Sequence, residues 1–175
     1  MKAAVTAGLC LSLAATAHAA NTANAGQEAR MLKGANITLP QAIRTAEMKS
    51  DGQAIGATYD TKHGNEGRYE VLVMSADGSR LTRLDLDAYS GAADAAWNHS
   101  LATLYPDLRA QSVLNTPTPL ANAIRTAERR ANGKATDAQV QRAGAQLLYT
   151  VDVARPDGTT QKVEVDGSDG AARAG

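Results

Sequence analysis

Apolar positions recur along the chain with two different periods. Leu39, Ala42, Ile43 and Ala46 fall three and four apart, as on one face of an amphipathic helix. Thr38 and Gln41 form a T-x-x-Q capping box with Pro40 in the first turn, and Gly52 supplies a stop. The same face returns at Leu120, Ala123, Ile124 and Ala127, with Thr118 as the expected cap, Pro119 at the first helical position and Gly133 at the end. After each helix the period drops to two, the mark of half-buried strands. Ile55, Ala57 and Tyr59, then Tyr69, Val71 and Val73, then Leu84 and Leu86 follow the first helix. Ala138 and Val140, then Tyr149, Val151 and Val153, then Val163 and Val165 follow the second. Asp77-Gly78 and Asp157-Gly158 lie between the second and third strand of each set, where a D-G pair supports a tight hairpin. Each set therefore predicts an antiparallel sheet with one face on its helix.

The two sets are similar residue by residue. AIRTAE occupies 42–47 and again 123–128, and Gly52, Ala54 and Ala57 return as Gly133, Ala135 and Ala138. Tyr69, Val71, Val73, Asp77 and Gly78 match Tyr149, Val151, Val153, Asp157 and Gly158; Asp87, Gly91, Ala92 and Ala93 match Asp166, Gly170, Ala171 and Ala172. The small offset changes fall between elements, as expected of a repeated fold. Arg44 with Glu47, and Arg125 with Glu128, lie three apart and are expected to be solvated ion pairs on the outward helix faces.

Ahead of the repeats, Lys2, the apolar run 3–15 and Ala17-His18-Ala19 read as a secretion signal cleaved after Ala19, the run being shorter than the ~20 residues a membrane span requires. Cys10 is the only cysteine and would leave with the signal; the bulky Leu9 before it argues against a lipidation site. The expected organisation is a signal at 1–19, a mobile lead-in at 20–34, a first repeat at 35–93, a linker with a short helix at 94–115 and a second repeat at 116–175. Periplasmic or secreted localisation follows, with no stable membrane anchor.

An Ala-rich amphipathic helix, Y-x-V-x-V, a D-G hairpin and a strand ending in Asp with Gly four positions later together resemble the PepSY domain. The residues that carry the resemblance are Tyr69-Glu70-Val71, Asp77-Gly78 and Asp87 to Gly91, and again Tyr149-Thr150-Val151, Asp157-Gly158 and Asp166 to Gly170. It implies an α+β fold of two repeats, each a helix packed on a small antiparallel sheet, an architecture also similar to the repeats of β-lactamase inhibitory proteins. It further implies an extracytoplasmic setting and a role in binding or restraining peptidases, without catalytic residues. A propeptide needs a peptidase in the same chain, and none is visible, so action in trans on a protein or peptide partner, such as a protease or other hydrolase, is expected.

Composition narrows the function further. Eighteen basic and eighteen acidic residues leave no net charge to steer the chain toward nucleic acid. With aromatic residues at 3% and no Phe, the core must be filled by small aliphatic side chains and a few tyrosines, which predicts modest stability. His63 and His99 stand alone, and no P-loop, G-x-S-x-G or H-x-x-x-H pattern occurs, so no catalytic, cofactor or metal site is assigned. Asp85 and Asp87, matched by Glu164 and Asp166, read as a solvated charged face rather than an acid/base pair. The one asymmetry of interest lies on the second strands, where Glu70, Leu72 and Met74 of the first repeat stand against Thr150, Asp152 and Ala154 of the second. Trp97, Leu101 and Leu104 are spaced as one stripe of a short helix ended by Pro106, and that stripe is expected either to cover the apolar face or to leave Leu72, Met74 and Trp97 as a partner-binding cluster. A homodimer or longer sheet formed through open strand edges is the alternative function.

Overall fold

A computed structural model describes residues 30, 32–61, 67–106 and 108–175. The expected signal, its Cys10 and His63 lie outside the described residues. The elements run α1 (Leu39–Ser50), β1 (Gly52–Asp60), β2 (Arg68–Ser75), β3 (Arg80–Asp87), β4 (Ala93–Ser100), α2 (Leu101–Leu104), α3 (Ala110–Leu114), α4 (Leu120–Ala131), β5 (Lys134–Ala143), β6 (Gln146–Ala154), β7 (Thr160–Asp166) and β8 (Ala172–Ala174). The fold is α+β. Among the described residues the strands form one antiparallel sheet of eight, ordered β4-β3-β2-β1-β5-β6-β7-β8.

Helix–strand–strand–strand–strand thus occurs twice, and the expected pair of separate small sheets is replaced by one continuous sheet. The seam is the antiparallel pairing of β1 with β5 at Gly56↔Gln139, Ala57↔Ala138 and Thr58↔Asp137. Residues directly opposite on neighbouring strands point to the same side. Leu84, Val71, Ala57, Ala138, Val151 and Val163 therefore form one row across the sheet, all buried, on the face that α1 and α4 cover. The alanines of the helix faces, Ala42 and Ala46 on α1 and Ala123 and Ala127 on α4, are also buried, so small side chains let the helices sit close to this row.

Each half closes its helix onto its sheet with the same hydroxyl. Tyr69 donates to the Ile37 carbonyl and Tyr149 to the Thr118 carbonyl, both at 2.7 Å, just ahead of α1 and α4. Burial pushes the Tyr149 hydroxyl up to about 12, and the Tyr69 hydroxyl upward for the same first reason. The turn after the third strand is also shared. Asp87 N–H donates to the Ala92 carbonyl and Gly91 N–H to the Asp87 carbonyl, as Asp166 and Gly170 do with Ala171 and Asp166, each at 2.9 Å.

Several local expectations need correction. Thr38 caps α1 as read, its N–H donating to Gln41 Oε1 at 2.7 Å, but α4 starts one residue later than expected, with Pro119 itself at the N-cap and Thr118 serving as the tyrosine's acceptor. The left-handed residues ending the helices are Asp51 (φ 48°) and Asn132 (φ 52°), not the glycines. Gly52 and Gly133 are required for a different reason, since a Cβ there would lie 2.2 Å from the Met74 carbonyl oxygen and 2.4 Å from that of Ala154. Glu47 and Glu128 are not solvated partners of Arg44 and Arg125. They turn inward, half-buried, and accept from the N–H groups of Ala54 (2.9 Å) and Ala135 (3.1 Å), tying each helix end to the start of its first strand. Residues 94–100 of the expected linker belong to β4, so Trp97 lies on a strand and the expected helical stripe reduces to the four residues of α2.

Candidate functional site

The sheet face opposite the helices carries the asymmetry seen in the sequence. Near one end of it Gln53, Met74 and Leu81 stand in one register row. Segments 101–106 and 108–114 meet this end: Leu101 N–H donates to the Ser79 carbonyl at 3.1 Å, Gln53 Nε2 to the Val113 carbonyl at 3.1 Å, and Leu101 and Val113 are buried. Met74 is 0% exposed and so unavailable to a partner while these segments are in place. The expected Trp97–Leu101–Leu104 stripe is not what lies at this end, since Trp97 is on β4 and Leu104 is exposed.

The next row differs. Gly56, Leu72, Arg83 and Trp97 are mutually opposed across β1, β2, β3 and β4, and Gln139 continues the row onto β5. Leu72 and Trp97 are half-buried and share a cavity of about 150 Å³, roofed on one side by Tyr105 and floored by Gly56, where no side chain fills the space. A Cβ added to Gly56 would find nothing nearer than Leu72 Cδ1 at 3.6 Å. Two of the three expected residues thus line one cavity, and Met74, in the neighbouring register row, does not line it. Sequence reasoning missed Gly56, Tyr105 and Arg83; only the strand period around Leu84 could have placed Arg83 on the outer face, and nothing local could have placed the other two.

Arg83 fixes the electrostatics of the cavity. Its Nη1 donates to Glu70 Oε2 at 3.3 Å and its Nη2 to Asp85 Oδ2 at 3.3 Å, while Nε lies 3.1 Å from Asp85 Oδ1. The guanidinium carbon stands 5.8 Å from the Trp97 ring centroid, within cation–π range, and His99 meets the same indole edge-on at 4.6 Å. Asp85 is therefore engaged in a part-buried ion pair rather than belonging to a freely solvated face. Asp87 and Asp166 shape turns: Asp87 Oδ1 accepts from Ser90 N–H and Oγ, both at 2.7 Å, and Asp166 Oδ1 accepts from Ser168 N–H at 2.8 Å and Oγ at 2.6 Å. Those bonds hold both carboxyls below the usual range, led by the Ser90 N–H for Asp87 and the Ser168 hydroxyl for Asp166. Across the seam, Thr58 Oγ1 donates to Asp137 Oδ2 at 2.5 Å. Burial, with Asp137 beside it, raises Asp152 against the lowering pull of Lys162. Among the described residues no group of three or more His, Cys, Asp or Glu side chains is placed to hold a metal ion.

The second half matches a known family model. Residues 119–174 match the model of PepSY, the peptidase propeptide and YPEB domain. The match begins at the N-cap of α4 and takes in β5 to β8, so it covers one complete helix-and-four-strand unit. Among solved structures, a candidate lipoprotein from Clostridium difficile 630 is similar at 15% identity and a TM-score of 0.46, with 79% of this chain and 91% of that one covered. The YpmB protein from Bacillus subtilis is similar at 16% identity and a TM-score of 0.31, with 76% and 92% covered. No curated protein matches. Among the described residues no helix is long and apolar enough to cross a membrane.

Proposed function

We propose that this protein is an exported, non-catalytic binding module that captures a protein or peptide partner outside the cytoplasm and restrains a peptidase or other hydrolase. The observation that carries the reading is the PepSY match over 119–174, a domain associated with peptidase propeptides. The reading extends to the first half, taken as a second PepSY unit because it repeats the element order, the tyrosine clamp and the Asp-to-Gly turn of the matched half. Export rests on the N-terminal signal pattern, with the mature chain beginning at Ala20. The outer sheet face around Leu72 and Trp97 is the working surface in this reading. An affinity pull-down with the mature chain from periplasm and culture medium, followed by inhibition assays on each captured hydrolase, tests it. Failure to enrich any exported protein, or a hydrolytic activity of the pure chain that disappears when Asp85, Asp87, His63 and His99 are replaced together, would overturn it.

A second reading, association of two copies through their sheet edges, is favoured by β4. This outer strand runs eight residues, Ala93–Ser100, with neither Pro nor Lys, the residues that commonly blunt an edge. Size-exclusion chromatography with light scattering decides: a strict monomer at high concentration removes this second reading.

A further inference from the structure

We infer that the cavity between Trp97 and Tyr105 receives the basic side chain, lysine or arginine, of an extended peptide segment. This deepens the binding reading and rests on it. Volume sets the first limit. Small-molecule sites commonly enclose about 300–1,000 Å³, whereas this cavity measures about 150 Å³, the room of roughly five waters at ~30 Å³ each or of one long side chain.

Its walls select what kind of side chain. Trp97 and Tyr105 offer aromatic surface, Leu72 and the bare floor at Gly56 offer room for an aliphatic stem, and Glu70 lines the polar side together with Arg83, Thr58 and Gln139. A chain of methylenes ending in a cation matches that arrangement, the stem packing on apolar surface and the head meeting ring faces and carboxylate. The molecule supplies its own precedent: Arg83 already places a guanidinium beside Trp97 with Glu70 and Asp85 as counter-ions.

Charge around the cavity points the same way. One register row beside it reads Asp94, Asp85, Glu70, Thr58, Asp137, Asp152 and Lys162 from β4 to β7. Five of these seven are carboxylates on one face, against the cations Arg83 and Lys162. Like charges directly opposite each other weaken a sheet. Asp85 opposite Asp94 and Asp137 opposite Asp152 carry that cost, whereas Glu70 opposite Asp85 is bridged by Arg83. A cationic segment lying along the row would relieve it, with one basic side chain lowered into the cavity.

Trp97 is the only tryptophan, so its emission reports on the cavity directly. The mature chain is titrated with acetyl-Gly-Lys-Gly-amide, its arginine counterpart, the norleucine isostere that keeps the stem and removes the charge, and the glutamate peptide. The expected result is a saturable change with lysine or arginine, at least tenfold weaker with norleucine, absent with glutamate and weakened by salt. Gly56→Ala, whose added methyl group has room in the fold, and Glu70→Gln should each reduce the affinity at least fivefold while circular dichroism stays unchanged. No response to either basic peptide, an equal response to norleucine, or a response to glutamate alone, which would make Arg83 the receptor of a carboxylate, overturns the inference. Capture of the same exported partner at equal affinity by wild type and Gly56→Ala also overturns it and leaves the broader binding reading standing. Failure to capture any partner removes that broader reading, whatever the peptide titration shows.

Discussion

Replacing Tyr149 with Phe removes one hydroxyl and almost no volume, so it isolates the bond that ties the start of α4 to β6. The hydroxyl donates to the Thr118 carbonyl at 2.7 Å from a side chain only 1% exposed. Loss of the donor leaves a carbonyl with reduced pairing in a part-buried place, at a cost of about 1–3 kcal/mol. Titration tests the burial of the same hydroxyl separately. Burial raises the hydroxyl from the ordinary value of 10.0 to about 12, equivalent to roughly 3 kcal/mol of preference for the protonated folded state. Because the folded value is raised, this contribution is fully present below the unfolded value near 10 and is lost as pH climbs from there through about 12. Urea denaturation of wild type and Tyr149→Phe should therefore differ by about 2 kcal/mol at pH 7, and the gap should close between pH 10 and 12. Tyr69→Phe should behave alike, because its hydroxyl holds the Ile37 carbonyl at the same distance. Equal midpoints at pH 7, or a gap unchanged across the alkaline range, would refute the clamp.

Gly52→Ala and Gly133→Ala should each destabilise by about 2 kcal/mol or more in chemical denaturation, because the new methyl group would meet carbonyl oxygens at 2.2 and 2.4 Å; Gly56→Ala, with its nearest neighbour at 3.6 Å, is the control expected to show little loss. Met74→Asp should abolish the circular dichroism of the folded first half, since it places a charge where the wild-type side chain is 0% exposed; a folded variant would show that segments 101–106 and 108–114 are not a cover. Glu47→Gln keeps an acceptor for the Ala54 N–H and removes a carboxylate whose pKa burial raises. Ionised Glu47 thus opposes folding, and its contribution improves as pH falls through its raised range. Denaturation midpoints should be equal or higher for the variant at pH 7 and converge with wild type toward pH 4, and a variant clearly weaker at pH 7 would reverse this assignment.

What the sequence made legible was whatever local periodicity dictates. The Y-x-V-x-V strands, the D-G turns and the Ala-Ile helix faces announce themselves because β-branched alternation and three-four spacing are one-dimensional signals. Strand β4 escaped because Ala-Asp-Ala-Ala-Trp-Asn-His-Ser contains no β-branched residue, and Trp97, Leu101 and Leu104 happen to fall at helical spacing. Its signal was present in the turn before it, since Asp87 to Gly91 reverses the chain as Asp166 to Gly170 does. Glu47 looked like half of a surface pair because helix spacing sees only Arg44; its real partner, the Ala54 N–H, lies seven residues on and across the helix end. The candidate site was half visible. Leu72 follows from strand alternation, but the cavity also needs Tyr105 from a connecting segment and Gly56 from the seam strand, and no local pattern brings those three together.

The order of the sheet reads the same from either end, four strands out from the β1–β5 seam in each direction. Three opposed residue pairs join the strands at the seam, and α1 and α4 pack on each other across it, so the two halves share one core. Held in one polypeptide, the halves meet at an effective concentration set by the 101–119 connection and not by the abundance of the protein. The seam therefore persists at any dilution, and each half is free to change its exposed face without losing its neighbour. The outer surface shows the result: one end bears Trp97 and Leu72, the other Thr150 and Asp152, on matching backbones. A single chain thereby presents two unlike faces of one scaffold in fixed relation, as a heterodimer does, without having to recognise or find its other half.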